Sequence, residues 1–194
     1  MPERVIVEVV DRAAWRLWLS RHHTADAGVW LTVHKKGSTS GSLSYEEAVR
    51  EALCFGWIDS TAYRLDDERY LLWMAPPKPR SGWSAVNKGR IESLLADGLI
   101  TDAGLAVIEA AKADGSWQAL DRSDPLEVPD DLQEAFARHT GSRASWDGFP
   151  PGVRKQILEW IYSAKREETR AGRVEETASL AAKGERAHQW RPKA

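Results

Sequence analysis

Within the first seventy-five positions apolar residues alternate with polar ones in several short runs, set between stretches where they recur every three to four positions, and the latter spacing prevails from Ser84 onward. The first spacing predicts strands and the second predicts helices. Arg4 to Val9 is rich in β-branched residues and predicts a short strand. Asp11 is placed as an N-cap, followed by Trp15, Trp18, Leu19 and His22 at helical spacing, with His22, His23, Asp26 and Gly28 forming the exit turn. In 29–35, Val29, Leu31 and Val33 alternate with Trp30, Thr32 and His34, which predicts a strand with two usable faces. The small polar run 36–42 predicts a flexible loop. Ser44 and Glu47 make a capping box, Leu43 is placed to staple against Ala48, and Gly56 is placed to stop the helix. The segments 58–64 and 69–75 predict an antiparallel hairpin about Leu65–Glu68, and Pro76, Pro77 and Pro79 then force an extended connector.

Beyond the prolines the pattern is helical. Ser84 and Thr101 are placed as caps of two helices that stop near Gly98 and Gly115. A short helix is expected over 130–139. A longer helical region begins at Pro150-Pro151 and carries Val153, Ile157, Trp160, Ile161 and Ala164 on one side. Strands first and helices later predict an α+β fold: a small antiparallel or mixed sheet in the N-terminal half with helices packed on it, and a helical C-terminal half. The expected division is an α+β core over 1–115, an irregular acidic linker over 116–129, and a helical region over 130–194 packed on the core.

Composition sharpens this picture in three places. A net charge of -2 supplies no overall field toward nucleic acid or membrane. The lone Cys54 forms no internal disulfide, and the apolar stretch 5–10 is too short for a signal peptide. With no window of roughly 18 apolar residues, the expectation is a soluble, cytoplasmic protein without a membrane span. Ten tryptophans are far more than usual. Most are expected in a core, and a few are expected to line a pocket or docking surface.

Three segments carry candidate chemistry. In 78–90, Lys78 and Arg80 stand just ahead of a helix N-terminus, and Trp83, Asn87 and Arg90 follow. Unpaired N–H groups, the helix dipole and nearby cations make an anion site there, or else a capped surface helix with solvated charges. Asp59, flanked by apolar residues at the start of a strand, needs a partner if buried and is the one candidate general base or ligand contact. Cys54 falls at a helix C-terminus, where the dipole disfavours thiolate, so it reads as structural. In 164–173, Lys165, Thr169 and Arg173 are spaced to share a helix face, and Arg166 and Arg170 an adjoining one; the plainer reading is an exposed helix laced with Glu–Arg pairs. The five histidines show no ligand spacing, and HExxH, CxxC, nucleophile-elbow and glycine-rich phosphate motifs are missing. No metal and no cofactor are expected.

Glu51–Ser60, Asp66–Arg90 and Ala164–Thr177, in this order, resemble the YdeI/OmpD-associated family, named for bacteriocin protection and association with an outer-membrane porin. The resemblance runs from about Trp30 to Lys183. It implies a small bacterial α+β protein with a helical C-terminal region, connected to resistance against envelope-active peptides. It brings no catalytic residues with it, and without an export signal the porin association is not carried over.

These readings lead to a cytoplasmic binding protein for a small anionic ligand or partner, with Asp59, Arg80, Trp83, Asn87, Arg90, Lys165, Arg170 and Arg173 as the binding residues around a Trp-lined cleft. The alternative is an enzyme acting on an anionic substrate with Asp59 as general base. A nucleic-acid module, with the basic helices on phosphates and Trp83 on bases, is the least supported. Exposed tryptophans would also suit a homo-oligomer or a protein partner.

Overall fold

The computed structural model describes residues 5–24, 27–35 and 43–189. Arg4, Asp26 and the expected 36–42 loop lie outside them. The chain divides into two compact units between Gln118 and Ala119, inside the segment expected as a linker.

The N-terminal unit is a four-stranded sheet with helices. Strands β1 (Ile6–Val7), β2 (Val29–His34), β3 (Ile58–Arg64) and β4 (Arg69–Ala75) lie in the order β1-β2-β4-β3. β1 runs parallel to β2, and the other pairs are antiparallel, so the sheet is mixed. Helix α1 (Arg12–His22) is capped by Asp11, whose side chain accepts from the Ala14 N–H at 2.8 Å. Helix α2 (Tyr45–Cys54) carries the full capping box between Ser44 and Glu47. It ends at Gly56, whose φ of +78° suits glycine and whose Cβ would sit 2.7 Å from Val107.

Strand alternation then sorts the sheet's side chains. Leu31, Val33, Leu72 and Met74 join Trp15, Leu19, Val49, Leu53 and Trp57 in one buried core. Helices α3 (Ala85–Ala96) and α4 (Asp102–Ala113), capped by Ser84 and Thr101, add Ile91, Leu94, Ile108 and Ala111 to it. Trp30, Thr32 and Trp73 go to the opposite sheet face.

The C-terminal unit holds α5 (Asp130–Arg138), α6 (Ser142–Gly148), α7 (Pro151–Tyr162) and α8 (Glu167–Ala181). Its separate core is built on Leu132, Phe136, Trp146, Ile157, Ile161, Val174 and Ala178. α6 is not foreseen by the sequence pattern. It is a short helix that begins directly after Gly141, at φ +81°. The helical stripe also breaks over 163–166. Lys165 therefore precedes α8 instead of sharing a helix face with Thr169 and Arg173, which corrects the expected i, i+4, i+8 array.

Candidate functional site

The sheet face opposite the helices carries a cleft of about 510 Å³. The register sets Trp30 of β2 directly opposite Trp73 of β4, and their rings meet edge to face, with centroids 5.0 Å apart and planes at 63°. Tyr63 of β3 reaches across β4 to the same indole, at 5.1 Å and 62°. Edge-to-face contact is a favoured arrangement for aromatic pairs and holds each ring in place. Trp73 lies over Gly28, where a Cβ would fall 2.6 Å from both its ring and the Met74 carbonyl oxygen.

A bulge supplies the cleft's polar groups. β3 pairs Asp59 with Met74 and then Ala62 with Leu72, so three steps on β3 match two on β4. Ser60 and Thr61 occupy this irregularity, and both line the cleft with Ile58, Ala75, Pro76, Lys78 and Ser81. The connector then turns tightly, with the Ser81 N–H donating to the Lys78 carbonyl at 3.0 Å. Within this turn Arg80 adopts φ +62°, a conformation that costs a non-glycine residue on the order of 1 kcal/mol. Its backbone N–H is held by Asp114, whose carboxyl lies below the usual range through its hydrogen bonds with Ser116 and the nearby Arg80. The exposed ammonium-bearing Lys78 thus sits on a fixed rim.

Asp59 belongs to a different constellation. Being opposite Met74, it faces away from the cleft, and the Tyr45 hydroxyl donates to it at 2.9 Å. Burial, reinforced by that hydrogen bond, pushes the Tyr45 hydroxyl up to about 12. Arg90 on α3 grips Glu46 with two nitrogens, the shorter contact at 2.6 Å, donates to Asn87 Oδ1 at 2.9 Å, and lies 5.6 Å from the Tyr45 ring centre. Asp59, Asn87 and Arg90 are therefore brought together in one cluster joining α2, β3 and α3. Arg90 is neutralised there by Glu46, whose carboxyl it holds below the usual range.

The other sequence-selected residues are distributed elsewhere. Trp83 is only 4% exposed and packs at a tilt on Trp117 within the core. In the C-terminal unit, Arg170 forms a two-pronged pair with Asp131 at 2.7 and 3.0 Å. Arg173 donates to the Trp160 carbonyl and to Ser163, with its guanidinium 5.0 Å from the Trp160 ring centre. Lys165 is exposed. Asp59, Arg80, Trp83, Asn87 and Arg90 lie in the first unit, and Lys165, Arg170 and Arg173 in the second. Cys54 is fully buried, and burial pushes its thiol up.

Sequence reading did not single out Trp30, Ser60, Thr61, Tyr63 or Trp73. The signal for the two tryptophans was present, because both alternate with core residues on their strands. The bulge left no comparable mark. Among the described residues, no helix is long and apolar enough to cross a membrane.

Residues 7–107 match a family described as a domain of unknown function, DUF8412, and residues 125–184 match one described as "Bacteriocin-protection, YdeI or OmpD-Associated". No curated protein and no solved structure matches the chain. The two N-terminal motifs noted in the sequence fall within the first match and the Ala164–Thr177 motif within the second. The cleft and the Asp59 cluster both lie on the N-terminal match. With 7–107 spanning just over half of its 194 residues, the chain belongs to the DUF8412 family, while 125–184 of its C-terminal unit are similar to the YdeI/OmpD-associated family.

Proposed function

We propose that the protein binds a small anionic ligand in the cytoplasm, within a response that protects against envelope-active peptides, and that the ligand sits in the Trp30–Trp73–Tyr63 cleft. The observation that carries this reading is the rim. The exposed Lys78 stands on a strained turn beside an aromatic-walled cleft of about 510 Å³ that also offers Ser60, Thr61 and Ser81. That volume suits a metabolite-sized molecule, and few but convergent polar groups are what such sites use to orient one. The fully paired Arg90 and Arg170 offer an anion less, since taking either would mean displacing a carboxylate. The described association of the C-terminal segment with bacteriocin protection supports the physiological setting.

Calorimetric titration with organic phosphates and carboxylates at low and high salt tests the reading. At least one anion should bind saturably, with Lys78→Ala weakening it about tenfold, or ~1.4 kcal/mol, and Arg90→Ala leaving the contacts within the cleft in place. Anion binding that ignores Lys78 and Trp73, or no anion binding at all, would overturn it.

A further inference from the structure

We infer that the C-terminal unit holds a second binding site, which takes a small dipolar molecule bearing a carboxylate and an amine. The site is a pocket of about 490 Å³ lined by the approach to α5, by α5 and α6, and by the first turn of α7. Its lining lies between 126 and 154, so it shares no residue with the Trp30–Trp73 cleft and does not depend on that reading. Arg154 of α7 lines the pocket, and its Nε is shielded from solvent with no hydrogen-bond partner among the described residues. A buried donor on a charged group is costly when nothing accepts from it, because the group has given up water and gained no replacement. A guanidinium recovers that loss best from a carboxylate, which can span Nε and an adjacent Nη in a two-pronged pair.

The charges around Arg154 decide what else the ligand carries. Three carboxylates, Glu127, Asp130 and Asp147, line the pocket against two guanidiniums, Arg143 and Arg154. Asp147 is occupied by Arg143 at 2.9 Å. Glu127 and Asp130 are exposed and enter no ion pair among the described residues. A plain anion would satisfy Arg154 but be repelled by these two carboxylates, and a doubly charged phosphate more strongly. A plain amine would satisfy the carboxylates and leave Arg154 Nε as it is. A molecule with both groups answers both needs. The wall beside Arg154 is tied down: Gln133 Nε2 donates to the Val128 carbonyl at 2.9 Å, and the Leu126 N–H donates to the Ser123 carbonyl at 3.1 Å. Leu126 and Val128 also pack on the C-terminal core. A few polar groups on fixed walls are what small-molecule sites use to orient a ligand. Two sources share the required chemistry: an α-amino acid, with its charges on neighbouring atoms, and an ω-amino acid, with its charges several bonds apart.

Matched probes test this by calorimetry on the full chain. 6-Aminohexanoate is set against hexanoate, which lacks the amine, and against hexylamine, which lacks the carboxylate. Alanine is set against propionate and ethylamine in the same way. The expected result is that the dipolar member of one series binds about tenfold tighter, or more, than either of its partners, the series naming the charge separation. Arg154→Gln should erase the advantage over the amine, and the pair Glu127→Gln, Asp130→Asn the advantage over the carboxylate. Lys78→Ala, in the other unit, should change neither. Glu127 and Asp130 are exposed, so their double variant reads the site even if Arg154→Gln fails to fold. Equal binding of 6-aminohexanoate and hexanoate, and of alanine and propionate, would overturn the dipolar assignment. Dipolar binding that a folded Arg154→Gln leaves intact would overturn the role of Arg154. Binding of none of the probes would overturn the site and leave Arg154 a structural residue.

Discussion

Arg16 on α1 donates to the carboxylate of Glu51 on α2 at 2.7 Å, and Glu51 is only 1% exposed. Arg12 donates to its other oxygen at 2.5 Å, and a further Arg16 nitrogen reaches the Leu99 carbonyl at 3.1 Å. One buried carboxylate thus ties both N-terminal helices and the turn after α3. Removing one member of such a network leaves a buried charge unpaired. Arg16→Met should therefore cost about 3 kcal/mol, and Arg12→Met, with its single contact, about 1 kcal/mol. Urea unfolding of the two variants decides the order; equal losses would show that Glu51 relaxes toward water.

The Tyr45–Asp59 hydrogen bond gives a pH signature. The Tyr45 hydroxyl is raised to about 12 from an ordinary value of 10, by burial first and by Asp59 second. A group whose folded value is raised contributes stability that is full below its unfolded value and lost as pH climbs through the folded one. The protein should lose stability relative to Tyr45→Phe between pH 10 and 12. A phenolate titration should lose a late-ionising tyrosine in the variant, while Tyr70, whose hydroxyl burial also pushes up, persists. Identical titration curves would mean that Tyr45 is not held by Asp59.

Much of the fold was legible because its signals are local. Ser44 with Glu47, Asp11, Ser84 and Thr101 all cap where spacing put them, and both hairpin strands keep their expected bounds. The site was less legible because it depends on pairing. That Trp30 faces Trp73 follows only once β4 folds back beside β2, and Tyr63 joins them only across a third strand. Arg90 looked like an anion ligand because sequence cannot show that Glu46, forty-four positions away, occupies it. α6 escaped notice because its seven residues hold too few apolar positions to show a period.

Two buried tryptophans separate packing from hydrogen bonding. Trp15 and Trp146 are both fully buried. Trp15 Nε1 donates to the Ala48 carbonyl at 3.0 Å, whereas Trp146 Nε1 has no hydrogen-bond partner among the described residues. An unsatisfied buried donor costs free energy that its removal recovers. Trp15→Phe should thus destabilise more than Trp146→Phe, by roughly 1 kcal/mol. Thermal unfolding of both single variants provides the comparison. The reverse order would indicate that the Trp146 site cannot close around the smaller ring.

The fold and the cleft are coupled at Gly28. A Cβ there would fall 2.6 Å from the Met74 carbonyl oxygen, the Ala75 Cβ and the Trp73 ring at once. Two of those atoms belong to the β4 backbone or are fixed directly to it. Only the indole can swing, and it can do so only by abandoning its edge-to-face contact with Trp30. Gly28→Ala should cost about 2 kcal/mol of stability, as overpacking of a tight contact does. It should also weaken binding in the cleft even where the chain remains folded. Gly89→Ala, at a position where a Cβ meets nothing within 4 Å, supplies the control and should stabilise α3 by up to about 1 kcal/mol. If Gly28→Ala kept full affinity for a cleft ligand at a temperature where it is folded, the position of Trp73 would be irrelevant to binding. The aromatic wall would then lose its role.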